Sequence, residues 1–412
     1  MFIYKTAVIG AGTMGAEIAQ VISFSGVPVL LKDVNDQRVA EGLATIRAIY
    51  QRRVDRGKMT RDELEQKMRL VTGTTTLDGF KDVDLVIEAV PERLELKQQI
   101  FRELDAALPG SAIVASNTSS LSISALGGVT RRPHQVIGMH FFYPAHIMKL
   151  IEVIPGLDTS EETVSDMLSF AESLRKLPIR VNECPGFLVN RILMPYLNEA
   201  AYCVEQGAAT PREIDQAMVQ FGFPMGPFTL VDQLGFDVCR EVVNVLLDAY
   251  GPRMAPAGIW EDLYALKRFG AKSGAGFYLY GERAGQEDRE LDAAIAKRRA
   301  MFRGSPIFSP ERVIFPMLNE LTHCLEEHVC SAADADLAVV AGLGFPQSRG
   351  GLLHYADQLG LDTLLHGLEE FVGRYGVRFW PAPLLKRKVG AGHLGKQSQK
   401  GFFEYPAETS GS

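Results

Sequence analysis

The residues best suited to acid–base chemistry lie in two neighbouring segments, Gly138-Met139-His140-Phe141-Phe142-Tyr143-Pro144 and Leu150-Ile151-Glu152-Val153-Ile154. Glu152 stands inside an apolar run, where a carboxylate is costly to bury unless it is paired. His140 ends another apolar run, and a His–Glu pair would satisfy both groups. The carboxylate would orient the imidazole and stabilise its protonated form. Oxidising an alcohol needs a base for the hydroxyl proton while hydride leaves the same carbon, and histidine, with an intrinsic pKa of about 6.5, suits that role near neutral pH. The competing account of the same pattern is a satisfied core histidine and an edge-strand glutamate. Ser116-Asn117-Thr118-Ser119-Ser120 follows the apolar run 112–115. Hydroxyls clustered past a strand end can hold a substrate oxygen, although such runs more often cap helices or make turns. Asn190 opens the first long helix after Pro185-Gly186, and its amide can donate to a carbonyl and accept from a hydroxyl, or simply cap that helix.

A second chemistry is written at the start of the chain. Ala7-Val8-Ile9 runs into Gly10-Ala11-Gly12-Thr13-Met14-Gly15, a GxGxxG between a strand and a helix. In that context Gly10 permits a tight turn, Gly12 lets the backbone approach a pyrophosphate, and Gly15 lets helix and strand pack closely. The helix start adds free N–H groups and a positive dipole end. Asp33 ends the next apolar run, where an acid accepts from a ribose 2′-hydroxyl and repels a 2′-phosphate, so NAD is expected over NADP. A further run ends in Val86-Ile87-Glu88-Ala89-Val90-Pro91-Glu92. Strand ends line the ligand crevice in sheets of this class, so Glu92 and Lys97 are candidates to face the cofactor. A solvated helix-start acid and a helix-face base explain them equally well.

The elements that must position these groups follow from periodicity. Short apolar runs at 7–9, 29–31, 85–87, 113–115 and 136–137 alternate with amphipathic stretches, the rhythm of a parallel sheet covered by helices. The stretch from Asp36 to Leu70, rich in charge around 51–58, predicts a helical hairpin projecting from the sheet. Beyond Pro185-Gly186 the pattern turns helical, and the charged segment 282–303 reads as a linker helix. The fold class expected is an α/β Rossmann-type N-terminal domain over 1–183, followed by two tandem all-α domains at 184–283 and 311–412 joined by a linker at 284–310.

The tandem arrangement rests on an internal repeat. Arg191-Ile-Leu-Met-Pro-Tyr-Leu-Asn-Glu matches Arg312-Val-Ile-Phe-Pro-Met-Leu-Asn-Glu, and Asp215, Asp232 and Gly276 find counterparts in Asp336, Asp357 and Gly401. Ordered landmarks of this kind indicate a duplication. Both copies keep a proline, Pro195 and Pro316, in a helical run, where it costs about 3 kcal/mol. Glu311 stands where the first copy has Asn190, so the second copy lacks whatever Asn190 does.

Composition narrows the rest. The 412 residues are 46% hydrophobic and 23% charged, with a net charge of −7. That describes a globular protein with full cores and argues against a general nucleic-acid or membrane-surface binder. The five cysteines are scattered without a CxxC pair, as buried thiols in a reducing compartment would be, and neither a disulfide frame nor a metal site is expected. The N-terminus enters an apolar strand without a basic leader, and the C-terminal Ser-Gly-Ser is no peroxisomal address, so a cytoplasmic location is expected.

Taken together, GAGTMG, VIEAVPE, SNTSS, GMHFFYPAHIMKLIEV, PGFLVNRIL and GFPMGPFTLVDQLG resemble the 3-hydroxyacyl-CoA dehydrogenase family, in order, over residues 1 to about 280. The duplicated copy extends the likeness to about 405. The chain looks like the dehydrogenase part of multifunctional fatty-acid oxidation proteins, without their hydratase domain. The resemblance implies NAD as cofactor, an acyl-CoA as substrate, His140 as catalytic base and Glu152 as its partner. It implies that Ser119 and Asn190 contact the substrate's 3-oxygen, that Gly10, Gly12, Gly15, Asp33, Glu92 and Lys97 bind NAD, and that the 52–58 region, with Arg53 and Lys58, lies near the CoA phosphates. Tyr143 departs from the asparagine many members carry and is expected to reshape the substrate pocket. Because single-copy relatives dimerise through the helical domain, the second copy is expected to replace a partner within one chain, giving a monomeric pseudo-dimer, with a homodimer as the alternative. Two other readings are a dehydrogenase of free hydroxy acids and a silent NAD-binding scaffold.

Overall fold

The computed structural model describes residues 2–406, which fall into two compact units that divide between Phe187 and Leu188. The C-terminal Ser-Gly-Ser lies outside the described residues. The first unit runs β1 (Thr6–Ile9), α1 (Thr13–Phe24), β2 (Val29–Lys32), α2 (Asp36–Asp55), α3 (Arg61–Met68), β3 (Val71–Thr74), β4 (Leu85–Glu88), α4 (Leu94–Ala107), β5 (Ile113–Ser116), α5 (Ile123–Gly127), β6 (Val136–Phe141), β7 (Leu150–Pro155), α6 (Glu161–Ser173) and β8 (Leu177–Arg180). The strands form one sheet in the order β3-β2-β1-β4-β5-β6-β7-β8. The chain order reverses between β1 and β4, and the crevice outside the strand ends at such a switch point is where doubly wound sheets bind ligands.

The central strands β1, β4 and β5 are buried along their whole length, as strands covered on both faces must be. The edges explain what periodicity overlooked. β3, Val71-Thr-Gly-Thr, is a short polar edge strand, and β8, Leu177-Pro-Ile-Arg, is a short edge strand that contains a proline and buries only Ile179. β7 is a genuine strand and pairs antiparallel to β6, so the sheet is mixed rather than parallel throughout. That one reversal sets His140 directly opposite Glu152.

The Asp36–Leu70 stretch does form two helices, but it does not project. α2 packs along α1, burying Val39, Ile46, Ile49 and Tyr50, and the Tyr50 hydroxyl lies 2.8 Å from the Ser23 hydroxyl inside the core. Asn35 caps α2, and a Thr60/Glu63 capping box starts α3.

The second unit holds α7 (Val189–Gln206), α8 (Pro211–Phe221), α9 (Pro227–Leu234), α10 (Phe236–Tyr250), α11 (Ile259–Ala265), α12 (Arg289–Arg299), α13 (Pro310–Glu326), α14 (Ala332–Leu343), α15 (Leu352–Leu359), α16 (Leu361–Tyr375) and α17 (Pro383–Gly390). Pro195 and Pro316 both sit inside their helices, α7 and α13. The expected linker helix is α12. It is shorter than its charged segment and packs on α7 through the buried Leu291 and Ala294.

The two helical copies pack on each other through α7 and α13, and their contacts are reciprocal. Arg191 Nε donates to Glu320 at 2.7 Å, and Arg312 Nε donates to Glu199 at 2.8 Å. Arg253 reaches Glu320, and its counterpart Arg378 reaches Glu199. Residue i meeting j′ while i′ meets j is the signature of a two-fold interface, here closed within one chain. The copies also repeat their internal anchors. Asp232 accepts from the amides of Phe277 and Tyr278 and from the Tyr280 hydroxyl, and Asp357 accepts from Phe402, Phe403 and Tyr405 in the same way. A Cβ on Gly276 or Gly401 would lie 1.9 or 2.0 Å from the respective carboxylate oxygen, so both positions demand glycine.

Removing one member of a buried ion pair strands the other. Glu199→Ala leaves the wholly buried Arg312 without its carboxylate, and the helical unit should lose about 3–5 kcal/mol in guanidinium unfolding followed by circular dichroism. Arg312→Leu added to Glu199→Ala should restore part of that loss. Equal stability of wild type and Glu199→Ala would show that the pair does not hold the copies together.

Candidate active site

The dinucleotide loop is built as its glycines require. Gly10 has φ +101°, and a Cβ on it would stand 2.6 Å from the Ala89 carbonyl oxygen, while one on Gly15 would stand 1.8 Å from the Gly10 oxygen. A Cβ on Gly12 meets nothing within 4 Å. Two glycines are therefore needed for packing, and the third faces open space at the N-terminus of α1, where Gly12, the N-cap, contributes no side chain. Asp33 braces the loop, its Oδ2 accepting from the Ala11 amide at 2.7 Å. It also lines a cavity of about 260 Å³ with Gly10, Val34, Leu77 and Val90. This arrangement fits NAD. Open backbone donors would meet the pyrophosphate, and the carboxylate at the end of β2 would meet the ribose.

Glu92 and Lys97 are not equivalent. The Glu92 carboxylate is partly exposed and accepts from the Thr118 hydroxyl and from the Ser119 and Ser120 amides, tying the exit of β4 to that of β5. Lys97 is 1% exposed. Its amine donates to Glu88 at 2.7 Å and to the Val90 carbonyl, and lies 3.3 Å from Glu92. Glu88 also accepts from the Ser116 hydroxyl at 2.6 Å. Lys97 is thus the counter-ion of a buried acid and meets the crevice through Glu92. Glu88 escaped the sequence reading, although a carboxylate ending a wholly apolar strand carries the same signal that marked Glu152.

β6 and β7 carry the acid–base pair. His140 Nδ1 lies 2.7 Å from Glu152 Oε2. The ring is 5% exposed and Glu152 is fully buried. A carboxylate only accepts, so Nδ1 carries a proton, and in the neutral form of the ring Nε2 is the acceptor. Phe142 and Phe187 flank the imidazole with ring centroids at 4.5 and 5.9 Å. Asn117, inside the serine-rich run, accepts from the Phe141 amide at 2.8 Å and so fixes the strand exit beside His140. Ser119 follows two residues later and is half-buried. Because β4, β5 and β6 run parallel to β1, His140, Ser119 and the glycine loop all stand at the same edge of the sheet. Asn190 belongs to the other unit, as the second residue of α7, whose N-cap is Leu188. It is therefore not the helix cap.

The turn after His140 is clamped from two sides. The Ala145 amide donates to Glu17 of α1, and His146 Nδ1 lies 3.3 Å from the same carboxylate. The buried Lys176 amine donates to the Ala145 and Met148 carbonyls. Tyr143 itself is 64% exposed. Neither Glu17 nor Lys176 was foreseen, because each acts on backbone far away in sequence. On the outer side of this turn, Arg52, Arg53, Arg56, Lys58, Lys149 and Lys176 line a cavity of about 380 Å³. Arg53 lies over the Phe24 ring, 4.5 Å from its centroid. Among the described residues, no cluster of His, Cys, Asp or Glu could hold a metal, and no helix is long and apolar enough to cross a membrane.

Comparison with known proteins decides the family. The profile described as "3-hydroxyacyl-CoA dehydrogenase, NAD binding domain" matches residues 5–184, and the one described as "3-hydroxyacyl-CoA dehydrogenase, C-terminal domain" matches 186–280 and again 308–405. The chain belongs to the 3-hydroxyacyl-CoA dehydrogenase family. Its first unit is the family's NAD-binding domain, and the family's C-terminal domain occurs twice, as the internal repeat requires. The fatty acid oxidation complex subunit alpha of Shewanella amazonensis is 39% identical over 94% of this chain and 55% of its own length. A glyoxysomal fatty acid beta-oxidation multifunctional protein of Brassica napus is 37% identical over 95% of this chain and 55% of its own length. The chain thus spans about half the length of these curated relatives. Among solved structures, a 3-hydroxybutyryl-CoA dehydrogenase of Escherichia coli superposes with a TM-score of 0.84 at 29% identity, covering 95% of this chain and 99% of the other. The (S)-3-hydroxybutyryl-CoA dehydrogenase of Ralstonia eutropha matches with a TM-score of 0.67 at 38% identity, covering 68% and 100%.

Burial, and then the neighbouring charge of Lys149, push the Lys176 amine down to about 8. An unfolded lysine keeps its proton to about pH 10.4. Between those values the unfolded chain binds more protons, so this group's contribution to stability rises with pH. Wild type should gain stability relative to Lys176→Met between pH 8 and 10 in urea unfolding. A constant difference across that range would show that the amine titrates normally.

Proposed function

We propose that this protein is an NAD-dependent dehydrogenase that oxidises (S)-3-hydroxyacyl-CoA to 3-oxoacyl-CoA, or runs the reverse reduction. The observation that carries the reading is the buried His140–Glu152 pair, 2.7 Å apart, at the sheet edge that also carries the dinucleotide loop. NAD, when bound, supplies the hydride acceptor. The chain's own residues do the rest. His140 takes the hydroxyl proton at Nε2, and Glu152 holds the ring in the tautomer that leaves Nε2 free and stabilises the imidazolium that results. Ser119 donates to the 3-oxygen and keeps it at hydrogen-bonding reach of the base. We assign Asn190, whose amide both donates and accepts, to the same oxygen. Gly10, Gly12, Gly15 and Asp33 bind the dinucleotide. Glu92 orders the Thr118–Ser120 backbone beside it, and Lys97 acts on the cofactor through Glu92.

The cationic cavity around Arg53 and Lys58 supports a CoA thioester over a free hydroxy acid. Six positive side chains converge there in a protein of net charge −7, a natural partner for the CoA phosphates. We assign Tyr143, exposed three residues after His140, to the substrate pocket. The reciprocal arginine–glutamate contacts of the helical copies support a monomer in which the second copy takes the place of a partner subunit. The described cysteines form no disulfide, which suits the reducing cytoplasm we propose as its location.

His140→Gln should lower kcat by about 10²–10⁴-fold in an NADH absorbance assay with 3-hydroxybutyryl-CoA, while NAD affinity stays within a few-fold of wild type. Full activity would remove His140 from the mechanism. Light scattering at micromolar concentration should give the mass of a single chain, and twice that mass would count against the pseudo-dimer.

A further inference from the structure

The first unit contains a cavity of about 620 Å³ that the reaction as described does not use. That volume lies within the usual range for a small-molecule site. Its walls are the segment from Ser120 to Ser124, the turn Pro155–Thr159 after β7, and the chain from Arg180 to Phe187 beyond β8. Two of its residues lead back to the reaction centre. Ser120 follows Ser119, and Phe187, on the cavity wall, has its ring 5.9 Å from the His140 ring. Phe187 adopts φ +49°, a left-handed conformation that is uncommon for a bulky residue and that persists when its surroundings over-determine it. Here Gly186 precedes it at φ +77°, the Phe187 amide donates to the Cys184 carbonyl, and the Cys184 thiol donates to the Phe187 carbonyl. The aromatic partition between His140 and the cavity is therefore held in place by its backbone.

The chemistry of the walls says what the cavity takes. Leu121, Pro155, Leu157, Pro185 and Phe187 supply apolar surface. Several polar groups of the lining are matched within the wall. Glu161 holds both terminal nitrogens of Arg180 at 2.6 and 2.8 Å, Glu183 accepts from the Ser124 hydroxyl and amide, Thr159 donates to the Val136 carbonyl, and Ser122 caps α5. Against the one arginine stand two carboxylates, Glu161 and Glu183. The one guanidinium in the wall is already engaged by a carboxylate, and the remaining formal charge is negative.

We propose that this cavity is the acyl-tail subsite, with Phe187 as the wall that separates it from the base, and that it selects uncharged medium-length tails over tails ending in a carboxylate. The inference rests on the dehydrogenase reading above. Substrate carbons beyond the 3-position enter past Ser120 and Phe187. Each buried methylene raises kcat/KM by up to about fourfold until the cavity is filled.

The test compares kcat/KM of the full chain for 3-hydroxyacyl-CoA substrates of four, six and ten carbons and for the six-carbon ω-carboxylate. The comparison is repeated in Leu157→Trp and Leu121→Trp, which fill the mouth and the wall. Leu157 is 90% exposed, so its variant keeps the fold. Wild type should prefer the neutral six-carbon substrate to its ω-carboxylate by at least tenfold. Both variants should lower the ten-carbon to four-carbon ratio at least tenfold. An unchanged ratio, or a wild-type preference for the ω-carboxylate, overturns the subsite while leaving the dehydrogenase intact. A wild-type protein that turns over no thioester of any length overturns the dehydrogenase reading and the subsite with it.

Discussion

An imidazole held by a buried carboxylate is the interaction on which the rest of the first unit depends. Glu152 is fully buried in β7, and a carboxylate there is tolerable only with a partner. The antiparallel register supplies one, since residues directly opposite on neighbouring strands place their side chains on the same face. A shift of one residue in that register would send one of the pair to the other face of the sheet. Strand pairing is thus what makes the His140–Glu152 contact possible. Around it, Asn117 fixes the exit of β6, while Glu17 and Lys176 grip the following turn. Glu17 lies on α1, the helix that follows the glycine loop, so that helix and the turn after His140 share a direct hydrogen bond.

The second unit solves a different problem with similar means. Its two copies bury arginines against each other's glutamates. Buried ion pairs are weak contributors to net stability but strongly penalise any arrangement that leaves one charge unmatched. They therefore specify how the copies meet. The copies differ at the position assigned to the substrate. Glu311 replaces Asn190 at the corresponding place, while the structural anchors Asp232 and Asp357 are kept with identical bonding.

Much of this was legible in the sequence because the physical demands are local. GxGxxG between strand and helix, an acid in an apolar run, and the ordered landmarks of the repeat each report a constraint within a few residues. The hidden parts depend on partners distant in the chain. The short edge strands β3 and β8 bury too little to leave a periodic signal. The charged hairpin reads as projecting until Tyr50 is seen to meet Ser23 in the core. Lys97 resembles a helix-face base until Glu88 is found beneath it. Lys176 looks like an ordinary surface lysine and proves to hold two carbonyls of the turn after the base.

The central claim is that Nε2 of His140 receives the substrate's hydroxyl proton. A crystal structure of the full chain with NAD and acetoacetyl-CoA measures this most directly, through the distance from Nε2 to the 3-oxygen. A separation of about 2.6–3.2 Å, with the Glu152 contact intact, is the predicted result. A 3-oxygen well beyond hydrogen-bonding reach of Nε2, with another side chain in its place, would contradict it.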